Sequence, residues 1–150
     1  MFNKFLFLVL FFSLFLASDQ KEEIKKVLND YNDAFGKSDY SKIVSFFDTP
    51  ASFNLEEKTI TACTKLKLRL IYWKIRGGLP DYYSYSNWNE IKIQLVDSNI
   101  AIVNANFSRY KEDGTSYDSG SAQYHLRLID GSWKIFSLTP YKTIKDYKVI

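Results

Sequence analysis

A lone cysteine, Cys63, and a lone histidine, His125, among 150 residues set the first limits on this chain. One thiol closes no internal disulfide, so the fold must rest on its core. With no neighbouring His or CxxC partner, Cys63 is expected to be a buried spectator. No cluster of metal ligands, phosphate-binding loop or nucleophile elbow is present, and no metal or cofactor is expected. Charge of one sign is scarce too. The 20 basic and 17 acidic residues give a formal net charge of +3 without long runs of either sign, so no nucleic-acid partner is expected. Internal repeats, low-complexity tracts and linkers are absent, which points to a single domain.

Apolar residues make up 46% and aromatic residues 17% of the chain, ample to bury a core. The first 18 residues, MFNKFLFLVLFFSLFLAS, place Lys4 before a roughly 12-residue apolar run that ends in small residues, the layout of a secretory signal peptide. Its removal would leave 19 basic against 17 acidic residues, a net +2. The run falls short of the about 20 apolar residues of a membrane span. Because Leu16-Ala17-Ser18 matches the A-x-A cleavage pattern poorly, an uncleaved anchor is the alternative and the only expected route to a membrane. Residues 19–150 are expected to form the exported domain, secreted or periplasmic.

Ile24, Val27, Leu28, Tyr31 and Phe35 follow the stripe of one buried helix face, with Ser18 or Asp19 as the expected cap and Gly36 as the stop. A short second helix is expected from a Ser38 or Asp39 cap through Ile43, Val44 and Phe47, closed by Asp48-Thr49-Pro50. Ala51 to Thr61 predicts a strand or short hairpin around Asn54 to Lys58. Thr64 to Arg76 predicts a third helix, with Leu66, Leu70 and Trp73 at i, i+4, i+7 and a Gly77-Gly78-Leu79-Pro80 stop. Trp88 to Pro140 reads as strands joined by short polar turns.

Turn chemistry fixes three strand registers, because residues opposite one another share a face. Asp130-Gly131 sets Leu128 against Trp133, Leu126 against Ile135 and Tyr124 against Ser137. Asp113-Gly114 sets Arg109 against Asp118, Phe107 against Gly120, Ala105 against Ala122 and Val103 against Tyr124. Asp97-Ser98-Asn99 sets Leu95 against Ala101, Ile93 against Val103 and Ile91 against Ala105. One face is then apolar, while Gln123, His125, Arg127 and Lys134 lie on the other. His125 is thus expected to face solvent or an interface, unless a bulge near Gly120 reverses the parity.

The opener IKKVLNDYNDAFGKSDYSKIVSFF, the strand AIVNANFSRY with its Asp-Gly turn, and the closing YHLRLIDGSWKI resemble the nuclear transport factor 2-like superfamily, particularly its SnoaL-like and ketosteroid isomerase-like small proteins. The resemblance covers about residues 20 to 140 and implies an α+β cone. In such a cone a strongly curved antiparallel sheet wraps the N-terminal helices and leaves a pocket at its wide end. It further implies, for enzymes of the superfamily, an aspartate base with a tyrosine and a second acid, or a histidine with Asp and Tyr. Here the inward face is almost wholly apolar, and the one inward carboxylate, Asp118, lies opposite Arg109.

The leading expectation is an exported, non-enzymatic domain binding a small apolar or aromatic ligand, or a protein partner. Its pocket candidates are Tyr31, Tyr72, Phe107, Arg109, Asp118, Tyr124, Trp133 and Ser137. Ala105, Gly120 and Ala122 would leave room beside the aromatics, unless Tyr31, Phe35 and Tyr72 fill it. One alternative is an isomerase, cyclase or dehydratase using Tyr124 or Tyr31 as donor and Asp118 as base. The other is a homodimer formed through the outer sheet face with Ile102, Tyr110, Tyr117 and Phe136. Tyr82-Tyr83-Ser84-Tyr85 with Trp88 is expected to be an aromatic-rich loop and strand start rather than a pocket mouth.

Overall fold

The computed structural model describes the backbone of residues 2–142 and the side chains of residues 19–142. The side chains of the expected signal peptide and the tail from 143 to 150 lie outside the described residues. The chain runs α1 (Phe2–Gly36), α2 (Tyr40–Ser45), β1 (Phe47–Asn54), β2 (Thr59–Ala62), α3 (Lys65–Gly77), β3 (Tyr85–Leu95), β4 (Ile100–Tyr110), β5 (Ser116–Ile129) and β6 (Ser132–Tyr141). Among the described residues no helix is long and apolar enough to cross a membrane.

α1 buries Ile24, Leu28, Tyr31, Ala34 and Phe35, the predicted stripe, but it does not begin at a Ser18 or Asp19 cap; its backbone is helical without a break from Phe2. Beyond Gly36 the chain turns through Ser38, whose φ is 56°, and Asp39 caps α2 by accepting from the Lys42 N–H at 3.0 Å. α2 is shorter than expected. Phe47 already pairs with Ile135, so Asp48-Thr49-Pro50 lies within β1 instead of closing a helix. β1 and β2 form the predicted hairpin, and Thr64 caps α3 through the Lys67 N–H at 3.2 Å.

The six strands lie in the order β2-β1-β6-β5-β4-β3. Every pairing is antiparallel except β1 with β6, which is parallel. This is the expected α+β architecture of a curved, mostly antiparallel sheet around N-terminal helices. All three predicted registers hold over Ile91–Leu95, Ala101–Arg109 and Leu126–Leu128. Gly120 carries no bulge: β4 and β5 stay in step from Ala101–Leu126 to Arg109–Asp118.

Register shifts occur elsewhere. In the antiparallel pairings one falls at Asn89, one at Tyr117 and one at Phe136, each the extra residue between two aligned pairs, and the parallel β1–β6 pairing shifts between Phe47 and Ser52. The bulge at Phe136 overturns the expected Tyr124–Ser137 pair: Tyr124 faces Leu138, and Ser137 faces His125. The extra residue reverses the in-out parity of everything after it.

Two further expectations fail. Cys63 is exposed, because Ala62 takes the last buried position of β2 and the chain then leaves the sheet. In α3 the buried residues are Leu68 and Tyr72, while Leu66, Leu70 and Trp73 face outward. The helix exists, but with its predicted apolar stripe turned away from the core.

Candidate functional site

The core is filled at one end of the sheet and open at the other. A cavity of about 220 Å³ lies between α1, α3 and the sheet, where β3 begins and β1, β4 and β6 end. Its walls include Tyr31 and Phe35 from α1, Tyr72 and Ile75 from α3, and Phe53, Trp88, Phe107, Arg109, Tyr124 and Leu138 from the strands. Half-exposed Leu55 and Ile75 mark its mouth. An engineered apolar cavity of ~150 Å³ takes up benzene, so this one suits a molecule of one or two rings.

Tyr31 stands at the centre of the inner wall. Its ring makes edge contacts at 6.0 Å with Phe47, Tyr72 and Tyr124. Its hydroxyl lies 3.0 Å from that of Tyr72. Burial pushes the Tyr31 phenol up to about 12, and the same desolvation raises Tyr72 and Tyr124 well above the ordinary value. All three therefore remain neutral, so they can donate to a ligand oxygen but cannot serve as bases at physiological pH.

Trp88 and Arg109 line the cavity, and Trp88 Nε1 and Arg109 Nε are buried without a hydrogen-bond partner among the described residues. Leaving a buried donor unpaired costs about 1–3 kcal/mol. Arg109 also donates through Nη1 to Asp118 at 2.5 Å and lies over the Phe107 ring at 5.0 Å. Among the described residues no carboxylate lines the cavity.

Of the eight pocket candidates, the cavity brings together Tyr31, Tyr72, Phe107, Arg109 and Tyr124. Asp118 stays behind Arg109, paired with it and nearly half-exposed. Trp133 is buried in the filled half against Leu128. Ser137 lies on the outer face, where its hydroxyl accepts from Ser52 and Asn54 at 3.0 and 2.9 Å. His125 is on that face too, but half-buried: Phe136 packs 6.0 Å from it and its Nδ1 lacks a partner.

Gly120 does not widen the cavity as expected. A Cβ there would meet the tip of the Phe107 ring at 2.7 Å, so the glycine makes room for that ring. The outer-face aromatics largely satisfy each other. Tyr110 stacks on Tyr85 at 5.0 Å, and Arg127 covers Phe136 at 3.9 Å. Tyr117, displaced by its bulge, packs against Tyr82 at 4.9 Å and toward the core rather than outward.

Sequence reasoning missed Trp88 and Leu138 as cavity residues, and the signals were present. Continuing the parity of Ile91, Ile93 and Leu95 backwards would put Asn89 inside and Trp88 outside, an inversion that a bulge resolves. Past Ile135 the apolar positions change phase to Phe136, Leu138 and Pro140.

A search of curated protein sequences finds no match. Solved structures share the fold. A cystatin-like-fold protein of unknown function from Nostoc punctiforme is 15% identical over 87% of this chain and 95% of its own, with a TM-score of 0.70. An NTF-2 like protein of unknown function from Shewanella oneidensis is 13% identical over 81% and 98%, with a TM-score of 0.65. A proposed dehydratase of the NTF2-like family from Streptomyces avermitilis is 12% identical over 85% and 99%, with a TM-score of 0.67. At such identities the likeness carries the fold alone. A family model described as NTF2-like protein (DUF6841) matches residues 21–143, and the chain belongs to that family.

Proposed function

We propose that this domain binds, without chemical turnover, a small aromatic or apolar molecule that carries an oxygen acceptor. The supporting observation is the cavity's one-sided chemistry: aromatic walls, three neutral phenols, and unpaired N–H donors on Arg109 and Trp88. An apolar body would bury against Trp88, Phe107 and Tyr124, while an oxygen would accept the unpaired N–H groups. Proton abstraction needs a base within reach of the substrate. The tyrosines are held protonated, and Asp118 is engaged by Arg109 outside the cavity wall. The signal-peptide layout of residues 1–18 further supports the proposal that the domain acts after export.

Calorimetric titration with 2-naphthoate and with neutral 2-methylnaphthalene tests this reading. Both should bind, the carboxylate more tightly, and Ala122→Phe, which places a ring in the cavity, should abolish both. Failure of both probes to bind, or binding that survives Ala122→Phe in a folded protein, would contradict it.

A further inference from the structure

α3 has a second apolar face that the cavity does not use. Leu66, Leu70 and Trp73 are 68%, 57% and 64% exposed. At about 100° per residue this ridge lies opposite the core-facing Leu68 and Tyr72. Cations flank it on both sides, Lys67 and Lys74 along one and Lys65, Arg69 and Arg76 along the other. α3 contains no acidic residue. The other residues of the chain carry 15 basic against 17 acidic side chains, so an excess of five positive charges sits on a single helix.

Among the described residues none of these five cations forms an ion pair. Arg69 donates to the Ser41 hydroxyl at 2.6 Å, and Arg76 lies over the Tyr83 ring at 4.4 Å. Lys65, Lys67 and Lys74 are exposed.

We propose that α3 docks the domain on an anionic lipid surface. The ridge of Leu66, Leu70 and Trp73 enters the boundary between headgroups and acyl chains, and the flanking cations meet lipid phosphates. A helix with apolar residues on one side and Lys and Arg beside them matches the layering of a bilayer interface, where hydrocarbon lies beneath anionic oxygen. Tryptophan is favoured at that depth. A second copy of the chain fits the same face poorly, since five cations would oppose five. This surface is independent of the cavity and of any ligand there.

The test is flotation of the full chain with vesicles of phosphatidylcholine alone and of phosphatidylcholine mixed with phosphatidylglycerol. Three proteins are compared: the unaltered chain, Leu66→Ser/Leu70→Ser/Trp73→Ser, and Lys67→Glu/Lys74→Glu. The substituted side chains are exposed, so cooperative melting should persist. The unaltered chain should bind the anionic vesicles about tenfold or more tightly than the neutral ones, and each variant should lose about tenfold or more of that binding. Absence of binding, equal binding to both vesicle types, or variants that bind as well as the unaltered chain would overturn the proposal. The last two are what an apolar N-terminal segment acting alone would produce. Tighter binding to polyglutamate than to the anionic vesicles would overturn it in favour of an acidic protein surface. If a variant does not melt cooperatively, quenching of tryptophan emission by brominated phosphatidylcholine in anionic vesicles decides, compared between the unaltered chain and Trp73→Phe, because Trp88 and Trp133 also emit. Quenching that Trp73→Phe removes supports docking through α3, and no quenching, or quenching that Trp73→Phe leaves unchanged, overturns it.

Discussion

The two ends of the same sheet are built from the same strands, yet one is filled and the other is hollow. In the filled half Val103, Ala105, Leu126, Trp133 and Ile135 are buried in unbroken alternation against Ile24 and Leu28. In the hollow half Trp88, Phe107, Arg109, Tyr124 and Leu138 surround the cavity. The bulges at Asn89 and Phe136 lie at the boundary between the halves. A bulge bends its strand and sharpens the local twist. Two of them, on the strands that flank β4 and β5, lie where the cavity opens. Of the three small residues, Gly120 is covered by Phe107 and Ala105 is fully buried outside the cavity wall, so only Ala122 leaves room in the cavity itself.

The largest expected effect sets the two halves directly against each other. Leu126→Ala, fully buried in the filled half, should cost about 3–5 kcal/mol in chemical denaturation. Leu138→Ala deletes atoms that border space already open and should stay below about 2 kcal/mol. Equal losses would remove the distinction.

Alkaline pH should act chiefly through the hollow half. Below about pH 10 the three phenols keep their protons in both folded and unfolded chains, so stability should not depend on them. Above it the unfolded chain loses protons that folded Tyr31 holds up to about 12, and that burial makes Tyr72 and Tyr124 hold well above the ordinary tyrosine value. Stability should then fall steeply with rising pH. Tyr31→Phe should flatten that fall, as denaturant melts across the range would show.

The ion pair at the rim sharpens the comparison on a smaller scale. Arg109 is one-quarter and Asp118 nearly half exposed, so a double-mutant cycle should give coupling of about 1 kcal/mol or less. Coupling of several kcal/mol would mean that the rim is as dry as the filled end. The smallest effect is expected on the outer face. His125→Ala should cost about 1 kcal/mol or less, and it should leave probe binding unchanged because His125 does not border the cavity.

What the sequence made legible follows the same division. The Asp130-Gly131 and Asp97-Ser98-Asn99 turns and strict alternation specified the filled half down to individual pairs, including Leu128 with Trp133 and Ile91 with Ala105. The hollow half was read one residue out of phase at Ser137, and Trp88 was missed, because a bulge breaks the period on which such reading depends. The inversion at Trp88-Asn89 and the phase change after Ile135 are the marks it left in the sequence. Helix α3 shows a different limit. Its caps were legible, but Leu66, Leu70 and Trp73 follow a helical period as regularly as the buried residues do, so periodicity alone could not say which face meets the core.

The central claim is that the hollow end accepts an aromatic body and satisfies an oxygen with the donors around it. A crystal structure of the protein with 2-naphthoate tests it most directly. The account predicts the rings between Trp88, Phe107 and Tyr124, with a carboxylate oxygen within hydrogen-bond distance of Arg109 Nε or Trp88 Nε1. A probe bound elsewhere, or a carboxylate pointing out through the mouth between Leu55 and Ile75 while those donors stay unpaired, would contradict it.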